Sequence, residues 1–263
     1  MALNLNQAEE NYKEFYGRNI ETMPELIAEG RVPMNVSQLM QRRFDVRAAN
    51  NSLKSSWMDN YFDTGDAVVY HPDGRVKVVL DSQYLRQMTP ESKRNSGALV
   101  LTEDDYKRME GEEFKKGKVG QVNEWMTKKD VKSHPFWKVL ARDQSLLNEH
   151  ADYIFAEGKQ RFGYDNAMGV FLSSAEDSPE MRAWVVDGLV DGSYAGGGGD
   201  LGSDDGRLVG IAPEAQSVLD ESVPKVATYT TADLESFDNA LKGLEGILNP
   251  ELLKPFVQFR NKL

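Results

Sequence analysis

Asp73-Gly74 lies between two β-branched runs, Ala67-Val68-Val69-Tyr70 and Arg75-Val76-Lys77-Val78-Val79-Leu80. No other feature of the chain constrains its fold as strongly. A glycine in this position can take the positive φ that a tight reversal demands, so the two runs fold back on each other through His71-Pro72-Asp73-Gly74 as an antiparallel hairpin. Further short strands are expected at residues 97–101, 169–173, 182–186 and 207–211, each bounded by Gly, Asp or Pro. Strands therefore fall into two groups, about 66–102 and 169–212, separated by helical sequence. A doubly wound parallel sheet would instead alternate strand and crossover helix along the whole chain. The expected class is α+β, with mostly antiparallel short strands packed against helices and with helical N- and C-termini.

The helical expectations rest on periodicity and caps. Residues 5–16 carry scattered apolar positions and end at Gly17, a good left-handed terminator. Pro24 is placed to open a short helix that Gly30 closes. Asn35 with Gln38, and Thr102 with Asp105, have capping-box spacing. The first box opens a helix bearing Leu39, Arg43, Val46 and Arg47. The second opens one running to about residue 114. After a break near Asn50-Asn51, another helical piece spans about 53–62. A long helix is expected over 136–157, where Val139, Leu140, Leu146, Leu147, His150 and Ile154 recur at helical spacing. Thr230 and Asp233 open a C-terminal helix with Leu234, Phe237, Leu241, Leu244 and Leu248 on one face. The 263 residues suit a single α+β domain over 1–263, with a division into two subdomains near 160–168 as the other arrangement of the same length.

Composition removes several functions. Cysteine is absent, which excludes disulfides, thiolate metal sites and cysteine nucleophiles. The first ten residues have neither a basic region nor an apolar one, and no apolar run approaches 18 residues. A cytoplasmic protein with no membrane span is expected. The net charge is −11, opposite to what displaces counterions from phosphates, so no nucleic acid is expected as partner. Residues 173–222 hold eleven Asp/Glu against Arg182 and Arg207 alone. Such a segment suits a basic partner or a cation.

The segment Asp191-Gly-Ser-Tyr-Ala-Gly-Gly-Gly-Gly-Asp200-Leu-Gly-Ser-Asp204-Asp205-Gly206 is the most unusual in the chain. Gly197, Gly199 and Gly202 have the spacing of a dinucleotide-binding loop, but the segment leads into a strand, where such a loop must meet a helix N-terminus. Asp200, Asp204 and Asp205 are candidate ligands of a hard divalent cation, Ca²⁺ or Mg²⁺, although their spacing is not that of an EF-hand. Residues 111–118 fail the phosphate-loop pattern in both length and final residue, no G-x-S-x-G elbow occurs, and the three histidines form no zinc-binding pair. His71, two residues from Asp73, is the candidate base. Arg43 and Arg47 are candidate ligand-binding residues, since a guanidinium fork fits carboxylate or phosphate; the same arginines could pair internally with the 173–222 segment. Two functions follow. In the first, the protein binds a small ligand or a basic partner through the loop 191–206. In the second, it is a metal-assisted, hydrolase-like enzyme using the same aspartates with His71.

Overall fold

The structure, a computed structural model, describes residues 3–6, 10–115 and 117–213. These belong to one compact unit, Met1–Leu219. The expected C-terminal helix from Thr230 lies outside the described residues.

The elements in chain order begin with β1 (Tyr12–Tyr16), α1 (Asn19–Ala28), β2 (Val32–Pro33), α2 (Val36–Asp45), α3 (Asn51–Met58), β3 (Phe62–Tyr70) and β4 (Val76–Val79). They continue with α4 (Gln83–Arg86), β5 (Arg94–Asn95), β6 (Ala98–Val100), α5 (Glu103–Arg108), β7 (Glu112–Phe114), α6 (Lys128–Ser133), α7 (Pro135–Ala141) and α8 (Gln144–Phe162). The last are β8 (Val170–Phe171), β9 (Glu180–Val186), β10 (Ala195–Gly196) and β11 (Arg207–Ile211). All strands join one sheet, whose central path runs β1-β11-β3-β9-β10-β8. Pairing is antiparallel except between β11 and β3 and between β10 and β8. The two strand groups thus share one sheet, and the class is α+β.

The predicted hairpin forms with Tyr70 opposite Val76 and Ala67 opposite Val79. Both capping boxes form, Asn35 with Gln38 on α2 and Thr102 with Asp105 on α5. β3 is buried along its whole length because both sheet faces are covered. Val68 and Tyr70 point into a core with Trp57, Trp137 and Trp184. Ala67 and Val69 point the other way, into a core with Ile20, Met23, Leu26, Tyr106 and Leu201.

Four expectations need correction. Residues 12–16 form a strand, because Tyr12 to Tyr16 pair with Ile211 to Arg207 at the far end of the described chain. Pro24 lies inside α1, not at its start. The helix from Thr102 stops at Arg108, and residues 112–114 pair with β4. The long helix is two: Arg142 takes a left-handed conformation (φ 61°), and the Asp143 side chain caps α8 by accepting from the Leu146 N–H. Arg142 holds that geometry with bonds of 2.7 Å to the fully buried Asp66 and to Asp81.

A bulge interrupts the pairing of β3 with β9 between Asp63 and Ala67. Bulges re-aim the side chains beside them, and Asp63 is one of the residues this bulge turns toward the region described next.

Candidate binding cleft

β9 leaves the sheet at Asp187, and the chain turns through a short 3₁₀ segment over Leu189–Asp191. β10 then returns beside β9, with Ala195 opposite Val186. From there to β11 the Gly/Asp segment is tied down by partners from across the fold. The Gly197 N–H donates to the Phe171 carbonyl at 2.8 Å, and the Tyr70 hydroxyl donates to the Gly197 carbonyl at 2.8 Å. The buried Arg182 guanidinium donates to the carbonyls of Gly199 (2.9 Å), Gly198 (3.3 Å) and Ser96 (2.7 Å). Arg18 holds the Gly202 carbonyl, and the Leu201 side chain is buried in the second core. Four consecutive glycines are costly to order. Here the cost has a physical reason: a Cβ on Gly197 would stand 2.2 Å from the Tyr70 hydroxyl.

The ordered loop forms one wall of a cleft of about 510 Å³. Asp63, Asp187, Asp200 and Asp205 line it, together with the rings of Tyr61, Phe171 and Tyr194, and no lysine or arginine does. Asp63 is buried; burial pushes its carboxyl up to about 6, although the Arg207 N–H (2.7 Å) and the Asn19 side chain bond to it. Tyr61 donates its hydroxyl to the Asp205 carbonyl, and burial pushes that hydroxyl up to about 12. The Tyr194 hydroxyl is raised by burial and by its hydrogen bond to Asp187. Asp191 is raised by burial and by the neighbouring charge of Asp187. The cleft concentrates negative charge beside aromatic faces, which is the chemistry that attracts a cation.

The residues singled out in the sequence have separate fates. Asp200 accepts from the Gly202 N–H at 2.7 Å and Asp205 from the Ser203 hydroxyl, both within the loop, and Asp200, Asp204 and Asp205 are all exposed. Asp200 and Asp205 share the cleft wall, but among the described residues no three His, Asp or Glu side chains, Asp200, Asp204 and Asp205 included, group as a metal site would require. His71 lines a different cavity, of about 300 Å³. Its Nδ1 faces Asp73 at 2.8 Å and its Nε2 faces Glu103 at 2.9 Å, so both ring nitrogens are engaged. Arg43 is fully buried, and its guanidinium donates to the carbonyls of Trp57, Asn60 and Asp187, each at 2.9 Å. It meets the acidic segment through a backbone oxygen, not a carboxylate. It is a positioning residue, since Tyr61 and Asp187 on the cleft wall adjoin or carry those carbonyls. Burial lowers it to about 10, which leaves it charged at neutral pH. His150 lies buried near it and is held down to about 3 by burial and by the Arg43 charge. Arg47 is exposed and lies over the Phe44 ring at 3.9 Å.

Sequence reasoning missed Tyr61, Asp63, Phe171, Asp187 and Tyr194. Two of them carried a signal. Asp63 interrupts an apolar strand start, and Tyr194 is the one aromatic residue within the Gly/Asp segment.

No protein-family model and no curated protein matches the sequence. One solved structure, in which the C-type lectin fold accommodates massive sequence variation in Nanoarchaeota, superimposes with a TM-score of 0.61 over 79% of this chain and 100% of the other. This chain has a C-type lectin fold. At 16% identity the likeness carries the C-type lectin architecture and no site residue. Among the described residues no helix of this C-type lectin fold is long and apolar enough to cross a membrane.

Proposed function

We propose that this C-type lectin fold is a binding module of the cell interior that holds a basic segment of a partner protein in the cleft bordered by residues 191–206. One observation carries the reading: four aspartates and three aromatic rings line the same cleft without an opposing lysine or arginine. An acidic, ring-lined concavity attracts ammonium and guanidinium groups and speeds their encounter. The loop is tied by Arg182, Tyr70 and Arg18, so little ordering entropy is lost on binding. The Nanoarchaeota structure accommodates massive sequence variation on a related backbone. A scaffold that tolerates changed side chains suits binding surfaces. Metal-assisted hydrolysis gains no comparable support, because His71 and the loop aspartates face different cavities.

Isothermal titration with a Lys/Arg-rich peptide tests the reading. Saturable binding is expected, weakening several-fold as salt rises and the Debye length shrinks from about 10 Å at 0.1 M towards about 3 Å at 1 M. The combined change Asp187→Asn, Asp200→Asn and Asp205→Asn should abolish it. Absence of binding by the unaltered protein at low salt would overturn the reading.

A further inference from the structure

A second cavity, of about 360 Å³, opens on the other side of the aromatic residues that border the cleft. Its walls include Trp125, Tyr164, Val190 and Asp191. Trp125 is 44% exposed and Val190 46%, whereas Trp57, Trp137 and Trp184 are fully buried. An exposed indole beside an exposed valine is apolar surface that a partner can cover.

The wall is built, not incidental. Gly192 sits against the indole so closely that a Cβ there would fall 2.8 Å from it. Tyr164 donates its hydroxyl to the Val190 carbonyl at 2.6 Å, fixing the opposite side. Trp125 packs edge-on to Phe171 and to Tyr194, at centroid distances of 5.3 and 5.9 Å. Phe171 and Tyr194 line the first cleft, so the two cavities meet across one cluster of rings.

Charge selects the occupant. Asp191 lines the second cavity, Asp187 lines the first, and the charge of Asp187 is near enough to raise the Asp191 carboxyl after burial has done so. Among the described residues neither forms an ion pair. The cations nearest in sequence are engaged elsewhere: Arg182 donates to the carbonyls of Ser96, Gly198 and Gly199, and Arg207 pairs with Glu14 at 3.0 Å. Arg43 approaches Asp187 only through its carbonyl. A planar cation lying on the indole can donate to both carboxylates at once. A guanidinium has that plane and that fork, and an ammonium has neither.

We infer that the second cavity is an arginine pocket, in which Trp125 stacks against the guanidinium of a peptide arginine while Asp187 and Asp191 accept its N–H groups. This rests on the cleft being the peptide-binding face and names the residue read beside it.

Two peptides of equal charge test it, one with arginine and one with lysine at every basic position, titrated into the unaltered protein and into Asp191→Asn and Trp125→Phe. Asp191 is exposed, so its amide variant should fold, and far-UV circular dichroism checks that it does. The unaltered protein should bind the arginine peptide at least about tenfold more tightly than the lysine peptide. Asp191→Asn should bring the ratio near unity by weakening the arginine peptide far more than the lysine peptide. Trp125→Phe should weaken the arginine peptide more than the lysine peptide, and in the unaltered protein arginine binding should shield tryptophan from iodide quenching. Equal affinity for both peptides would overturn the arginine pocket and leave the cleft reading standing. Arginine preference that survives Asp191→Asn would overturn the assignment of Asp191. Binding of neither peptide would overturn the cleft reading itself.

Discussion

Arg43 directs its guanidinium at three carbonyl oxygens that lie far apart in the chain, those of Trp57, Asn60 and Asp187. These bonds from Nε and Nη2 offset the cost of burying the charge although Nη1 has no partner, and removing the charge strands the three acceptors. Arg43→Met should therefore lose about 3–5 kcal/mol of stability in urea unfolding, the range for breaking a buried charged contact. Arg43→Lys should also destabilise, because a compact ammonium cannot span three carbonyls. Asp63 makes a different kind of statement. Its folded carboxyl titrates at about 6 against an ordinary 3.8, so the folded chain holds the proton more tightly than the unfolded one. Stability from this group is fully present below pH 3.8 and is lost as pH rises through 6. In Asp63→Asn the carbamoyl oxygen can still accept from the Arg207 N–H, and the buried Asn19 Oδ1, which has no partner, can accept from the new amide. That variant should lack the corresponding fall in melting temperature between pH 4 and 7, and should melt higher than the unaltered protein at pH 7.5. Equal pH profiles for the two proteins would contradict the assignment.

Among the elements, the Gly/Asp loop shows how one composition can hold two kinds of glycine. Gly197 is pressed on the Tyr70 hydroxyl, whereas a Cβ on Gly198 would meet nothing within 4 Å. Gly197→Ala should cost about 1–3 kcal/mol through overpacking and weaken peptide binding by displacing the wall. Gly198→Ala should be near neutral in both thermal melts and titration. What was legible in the sequence was local: the Asp73-Gly74 turn, the two capping boxes, and residues 207–211 as a strand. What was hidden depends on distant partners. The Tyr12-Lys-Glu-Phe-Tyr16 stretch becomes a strand only because β11 offers it an edge. The kink at Arg142 carries no glycine to announce it, being held by Asp66 and Asp81 from the other side of the fold. The loop itself was legible as unusual, but its order comes from Arg182, Tyr70 and Arg18, none of which neighbours it in sequence.

For the molecule as a whole, one sheet joins both strand groups, and its central β3–β9 pair brings Asp63 and, just beyond β9, Asp187 to the same cleft from positions far apart in sequence. Sequence could mark residues 173–222 as acidic, yet it could not show which carboxylates face one another, since that follows from the bulge in β3 and the turn after β9. The proposal places a basic peptide on this face and not in the His71 cavity. The most direct test is backbone amide chemical-shift mapping of the ¹⁵N-labelled protein during titration with a Lys/Arg-rich peptide. Shifts should concentrate at Tyr61, Asp63, Phe171 and residues 185–206 and saturate with a single affinity. Shifts confined to the His71 hairpin and residues 173–175, or no shifts at low salt, would contradict it.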